Sequence, residues 1–281
     1  MIASPRRPET DAPMKHIVSA IRACGLRGPV LVFSLAAPLA ALAQSVLPDL
    51  SLIGAAARTR PAYDGSASQR PDLIPVLRYF GNTWFTRTTQ GVLEGGARMK
   101  LSPELHLGAQ VAYEAGRIAS ESDFLSRYNL PDINPGASFG LHVEWDRKLG
   151  PVPITLLARG RQNADADQGA RADLRLTAGV YGDKGILAAV YFQGTWANAK
   201  SAQSFYGITA QQSAATGLPA FDAGSGPMST ALGLLWSADL SREWMLVGGL
   251  DYKHLHGSAA RSPLAERNSN YYASLGLAYH F

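Results

Sequence analysis

Apolar and polar residues alternate with a period of two through most of the chain beyond residue 50. The last twelve residues show the pattern best. Tyr271, Ala273, Leu275, Leu277, Tyr279 and Phe281 fall on one face, and Tyr272, Ser274, Gly276, Ala278 and His280 on the other. Successive side chains of a strand point to opposite sides, so this segment has one apolar face and one small or polar face. It carries neither charge nor proline to protect it as a soluble edge, and a strand closing a barrel against lipid needs neither. Leu105, Leu107, Ala109, Val111 and Tyr113 alternate likewise with His106, Gly108, Gln110 and Glu114. Phe139, Leu141, Val143 and Trp145 oppose Ser138, His142, Glu144 and Asp146, and Leu174, Leu176, Ala178 and Val180 oppose Asp173, Arg175 and Thr177.

Twelve such segments are expected, at 51–61, 72–80, 83–89, 91–101, 105–117, 136–147, 152–163, 171–183, 186–197, 228–238, 244–256 and 270–281. The third is the weakest, which makes ten the alternative count. Short turns at 81–82, 102–104, 148–151, 183–185 and 241–243 alternate with longer connectors at 62–71, 118–135, 164–170, 198–227 and 257–269. Short periplasmic turns and long external loops are the habit of outer-membrane barrels. The connector at Gln90-Gly91 breaks the rhythm, being short where a long one is due. The fold predicted is all-β: a closed antiparallel transmembrane β-barrel. Tyr79, Trp84, Trp145, Trp196, Trp236, Trp244 and Tyr279 fall near strand ends, where interfacial girdles sit.

The N-terminal stretch follows a different rule. Lys15, Arg22 and Arg27 precede an apolar run from Pro29 to Ala43 that ends Ala41-Leu42-Ala43. This is the layout of a secretory signal peptide over 14–43, with cleavage expected between Ala43 and Gln44. Residues 1–13 fit no part of it and are read as an extension ahead of a true start at Met14, leaving 44–281 as the barrel. Residues 1–43 hold five of the 26 basic and two of the 22 acidic residues, so the remainder carries only +1. Such a balance gives no case for nucleic-acid binding. The single cysteine, Cys24, lies in the leader as well, and no lipobox cysteine follows the apolar run.

With apolar faces toward lipid, the opposite faces carry Arg78, Glu94, Arg98, Lys100, Glu114, Glu144, Asp146, Arg159, Arg161, Asp173, Arg175, Asp251 and Lys253. Both signs occur in similar number, and paired charges across a narrow lumen offset one another. A network that fills the barrel is the plainer reading, and a selective ion path the sharper one. His254 and His256 with Ser258 and Ser262 would be the candidates for nucleophilic chemistry, but no G-x-S-x-G motif marks an activated serine. Two histidines on one strand do not make a metal site without a third ligand. No cofactor is expected. Tyr279 and the terminal Phe281 are candidates for the aromatic signal presented to the barrel-assembly machinery.

Four stretches carry a family resemblance. They are Pro61-Ala62-Tyr63-Asp64-Gly65-Ser66 with Arg70 to Tyr79; Tyr206-Gly207-Ile208 leading to Gly217-Leu218-Pro219-Ala220-Phe221; His254 to Leu264; and Leu275 to Phe281. In this order they resemble the MipA/OmpV family of outer-membrane proteins. The sequence departs from the family pattern at Ser258 and Arg261, where Asp is usual, and at Phe221, where Tyr is common. The resemblance implies a non-enzymatic barrel in the outer-membrane lipid of a Gram-negative cell. It also implies, as in some members, a scaffold joining a lytic transglycosylase to a murein synthase. A small channel, or an adhesin acting through the external loops, is the alternative.

Overall fold

The computed structural model of the chain describes residues 50–281, so the predicted extension, signal peptide and Ala43/Gln44 cleavage site lie outside the described residues. Twelve strands form one closed antiparallel barrel, each paired with its sequence neighbours and β1 with β12. They are β1 (Leu52–Pro61), β2 (Gln69–Phe80), β3 (Trp84–Thr89), β4 (Val92–Lys100), β5 (Leu105–Glu114), β6 (Gly136–Leu149), β7 (Val152–Asn163), β8 (Ala170–Asp183), β9 (Ile186–Ala197), β10 (Gly226–Asp239), β11 (Trp244–Leu255) and β12 (Ser269–His280). Four short helices decorate the long connectors: α1 (Asp123–Arg127), α2 (Ala199–Tyr206), α3 (Ala210–Thr216) and α4 (Gly257–Arg261). Among the described residues no helix is long and apolar enough to cross a membrane. The weak third segment is a strand, which sets the count at twelve.

Dyad alternation sets which side chains meet lipid. Leu73, Leu141, Phe192, Leu232 and Leu275 are exposed on the outer wall, whereas their sequence neighbours on the other parity are mostly inside. An exposed apolar belt on a closed sheet is the surface of a membrane-spanning barrel. The closing seam pairs Leu52 with His280 through Thr59 with Ala273, eight consecutive rungs. Tyr279 points outward against the Trp244 ring at 5.4 Å, and the Phe281 N–H donates to Ser51 O.

Several strand bounds differ from expectation by one to three residues. β2 begins at Gln69, so Arg70 and Pro71, placed in the 62–71 connector by sequence, are strand residues paired to Arg60 and Thr59. Proline is confined to strand edges that need no N–H donor, and Pro71 and Pro75 share a parity.

Candidate functional site

Side chains of the inward parity fill the middle of the barrel. Glu94 on β4 accepts from Arg87 Nε of β3 at 2.5 Å, Arg159 Nη1 of β7 at 2.7 Å and Gln110 Nε2 of β5 at 3.1 Å. Arg159 also reaches Asp173 of β8 at 3.0 Å, and Arg161 links Asp173 at 3.2 Å to Glu114 at 2.8 Å. Arg87 turns its second arm to Glu144 of β6 at 2.8 Å. Glu94 is 1% exposed, Asp173 5% and Arg159 6%, so these are desolvated charges that persist because each is paired more than once. Arg175 donates to Gln193 and lies over the Tyr191 ring at 4.3 Å. Tyr191 in turn donates to Asp251. Gly233 makes room for that pair, since a Cβ there would overlap both the Tyr191 ring and the Asp251 carboxylate.

Below this belt the periplasmic mouth is aromatic and basic. The Arg78 and Arg98 guanidiniums lie over the Phe80 ring at 4.6 and 4.5 Å. Asp146 accepts from Thr155 and stands 3.9 Å from His106. Lys100, the end of β4, is exposed.

Above the belt the external connectors fold into a lid with its own core. Ala62, Tyr63, Leu125, Leu130, Ile208 and Leu264 form one buried cluster, drawn from four different connectors. A second joins Ala202 and Tyr206 of α2 to Ala259 of α4 and to Met228 and Leu255 of the wall. Two of the short helices are capped by side chains: Asn198 accepts from Ser201 N at the start of α2, and Thr209 with Gln212 forms a capping box on α3. Polar stitches fix the connectors to one another. The Tyr63 hydroxyl donates to Leu264 O at 2.8 Å, Ser262 Oγ to Tyr206 O at 2.6 Å, and Asn270 Nδ2 to Ser66 O at 2.9 Å. Burial, reinforced by nearby Glu266, raises the Tyr63 phenol above its ordinary range. Burial and then Asp64 do the same to Tyr206. Both stay neutral donors under any physiological condition.

Leu264 is fully buried in that cluster, so Leu264→Ala should remove about 2–5 kcal/mol of lid stability. The expected reading is faster proteolysis and amide exchange in 256–268, with strand protection unchanged.

The proposed lumen charges lie on the inward parity, with Lys100 exposed at the end of β4, and the belt brings Glu94, Glu114, Glu144, Arg159, Arg161 and Asp173 into one network. Arg78, Arg98 and Asp146 line the periplasmic mouth, while Lys253 serves the lid through Asp64. Reasoning from alternation missed Arg87, which joins two acids of the belt, and Arg58, Arg60 and Asp72, which pair near the top of β1 and β2. The signal was present: Arg58 and Arg60 are two apart in an otherwise apolar alternation. The histidine and serine candidates do not meet as base and nucleophile. His254 Nδ1 bonds Ser269 and His256 Nε2 bonds Thr230, while Ser258 and Ser262 donate to the carbonyls of Gly224 and Tyr206. Among the described residues no cluster of three or more His, Cys, Asp or Glu could hold a metal ion.

Similar solved structures include the NanC porin, at TM-score 0.47 and 9% identity over 82% of this chain and 100% of that one. Another is an outer membrane channel from Pseudomonas putida F1, at TM-score 0.47 and 12% identity over 85% and 98%. No curated protein sequence matches the chain significantly. The protein is an outer-membrane β-barrel of the Gram-negative envelope, by its closed sheet and its lipid-facing belt. The family model described as MltA-interacting protein MipA matches residues 53–281, all but the first residue of the barrel wall, and the chain belongs to that family.

Proposed function

We propose that this barrel is non-enzymatic and works by holding a partner, a murein lytic transglycosylase, at its periplasmic mouth. The observation that carries this reading is the desolvated belt around Glu94, which occupies the lumen with a multiply paired charge network. A lumen filled in this way favours a surface role over transport. The family description supplies the class of partner. The turns between strands are too short to build a stable interface of roughly 800 Å² per partner. The mouth itself therefore contributes, through Arg78 and Arg98 over Phe80 and the exposed Lys100 at the end of β4. Together they suit an acidic patch on the partner.

The experiment has two arms on the same purified protein. Incorporated into a planar bilayer, it should give no steady ohmic current. Immobilised, it should retain a lytic transglycosylase from envelope extract, with Arg98→Glu and Lys100→Glu together lowering retention at least tenfold. A stable open-channel current without retention would replace this reading with the channel.

A further inference from the structure

The wall of the barrel is incomplete on one side. β3 and β4 are the shortest strands, and the register between β2 and β3 covers only Arg78, Tyr79 and Phe80. Above them β3 leaves β2: the Leu77 N–H goes to the Thr88 hydroxyl instead of continuing the ladder. On the other flank the register of β4 with β5 begins only at Glu94 with Ala112. The tip between them, Gln90-Gly91, folds into the lumen. Gln90 O accepts from Arg58 of β1 at 3.1 Å, and Gln90 Nε2 donates to Tyr191 of β9, on another part of the wall, at 2.5 Å. Both tip residues have positive φ, 51° and 78°, as a tight two-residue turn requires. This is why the connector is short where the rhythm calls for a long one.

With the tip turned inward, β2 above Leu77 and the last two residues of β5, Tyr113 and Glu114, have no strand partner on their facing sides, and three ordinary strand spacings, about 14 Å, separate them along the wall. The segment after β5 roofs this gap, through Arg70 Nε to Glu121 O at 2.6 Å and Asp123 N to Ser68 Oγ at 3.2 Å. The edge of β2 that faces the gap is unsuited to strand pairing. Leu77 shows which way its parity points, so the nitrogens of Pro71 and Pro75 face the gap and have no hydrogen to give. This edge lies in the apolar belt: Leu73 is 81% exposed and shares a register row with Ala57 and Leu275. Just inside and above stand Arg58, Arg60 and Arg70; Arg58 and Arg60 are ion-paired with Asp72, and Arg60 also with Glu121. Among the described residues Arg70 donates to the carbonyls of Glu121 and Ser120 and has no carboxylate at ion-pair distance.

We infer that this gap is a lateral binding site for a single-chain amphipath of the outer leaflet with an anionic head. The acyl chain rests along Leu73 and Pro75, and the head reaches Arg70 and Arg60. The occupant follows from the Arg70 charge at the rim, with no carboxylate at ion-pair distance among the described residues, and from the apolar edge below it, and the site stands independently of any periplasmic partner.

The test uses a fluorophore on Leu93→Cys, at the gap-side end of β4, in a chain of residues 44–281, which contain no native cysteine. Lysophosphatidic acid carrying a nitroxide on its chain should quench it saturably in zwitterionic micelles, at one per barrel. Arg70→Gln should weaken the half-saturation point at least fivefold, and Glu121→Gln, which removes one of the two carboxylates paired with Arg60, should tighten it. The heat-dependent shift in gel mobility checks that each variant is a folded barrel. Quenching that rises linearly without saturation, or is unmoved by both variants, would overturn the inference. So would full competition by inorganic phosphate, which would mark a plain anion site.

Discussion

Glu94→Ala destabilises the barrel by about 3–5 kcal/mol, the expected loss when one member of a buried charge cluster is removed and its partners stay behind. Arg87 and Arg159 both point at the Glu94 carboxylate, and each is almost wholly buried. Without it, Arg159 keeps Asp173 and Arg87 keeps Glu144, but Asp173 is already shared with Arg161. Two guanidiniums are then held in a dry lumen with too few acceptors. Urea unfolding of the purified barrel in micelles reads the effect, with wild type and Glu94→Gln alongside. The amide keeps the volume and one acceptor oxygen, so it should fall between the two. Replacing the cluster as a unit (Arg87→Met, Glu94→Leu, Arg159→Met) should recover much of the loss, since buried pairs gain little over apolar packing. If Glu94→Ala unfolds at the wild-type midpoint, the belt is solvated and the lumen is wetter than the geometry implies.

The wall of this barrel was legible in its sequence because lipid imposes the simplest of patterns. Each strand must present apolar residues outward, and a period of two records that directly. Even Thr86 to Thr89, the least apolar stretch, is strand because its neighbours leave it no other place. The belt was legible as a set of charges but not as pairs. Alternation places Glu94 and Arg159 on one side of the wall without saying that strands three apart put them 2.7 Å from each other. The lid was legible only through resemblance. Tyr63, Tyr206 and Ser262 lie in three separate family-like stretches, and the structure stitches them together through Leu264 O and Tyr206 O. Helices of five to eight residues have too few turns to show a period, so the chain between strands reads simply as long loop. The lateral gap left one trace, the missing long connector at Gln90-Gly91, and its meaning depends on where the tip goes.

Asp64 ties that lid to the wall, and acid should release it. Its carboxylate accepts from Lys253 Nζ of β11 at 2.9 Å and from the Tyr272 hydroxyl of β12. Its carbonyl faces the Tyr206 hydroxyl at 3.4 Å. Burial pushes the Asp64 carboxyl up, but the Lys253 charge and the Tyr272 and Lys253 hydrogen bonds together outweigh it and hold it below its ordinary value. A carboxylate whose folded pKa lies below its unfolded one adds stability that is complete above the unfolded value, about 3.9. That stability is lost as pH falls from there through the folded value. Amide exchange in 62–68 and 256–268, corrected for the intrinsic pH dependence of exchange, should therefore be slow at pH 7 and faster at pH 3. Protection of β7 and β8 should change less. Asp64→Asn should bring the pH 7 behaviour close to that of acid, because Lys253 loses its counter-charge, and should flatten the dependence on pH. If the lid of the Asp64→Asn variant still loosens between pH 7 and pH 3 as the wild type does, the switch lies elsewhere than Asp64. Glu266, which accepts from Ala67 N at 2.9 Å, would then be the next carboxylate to test.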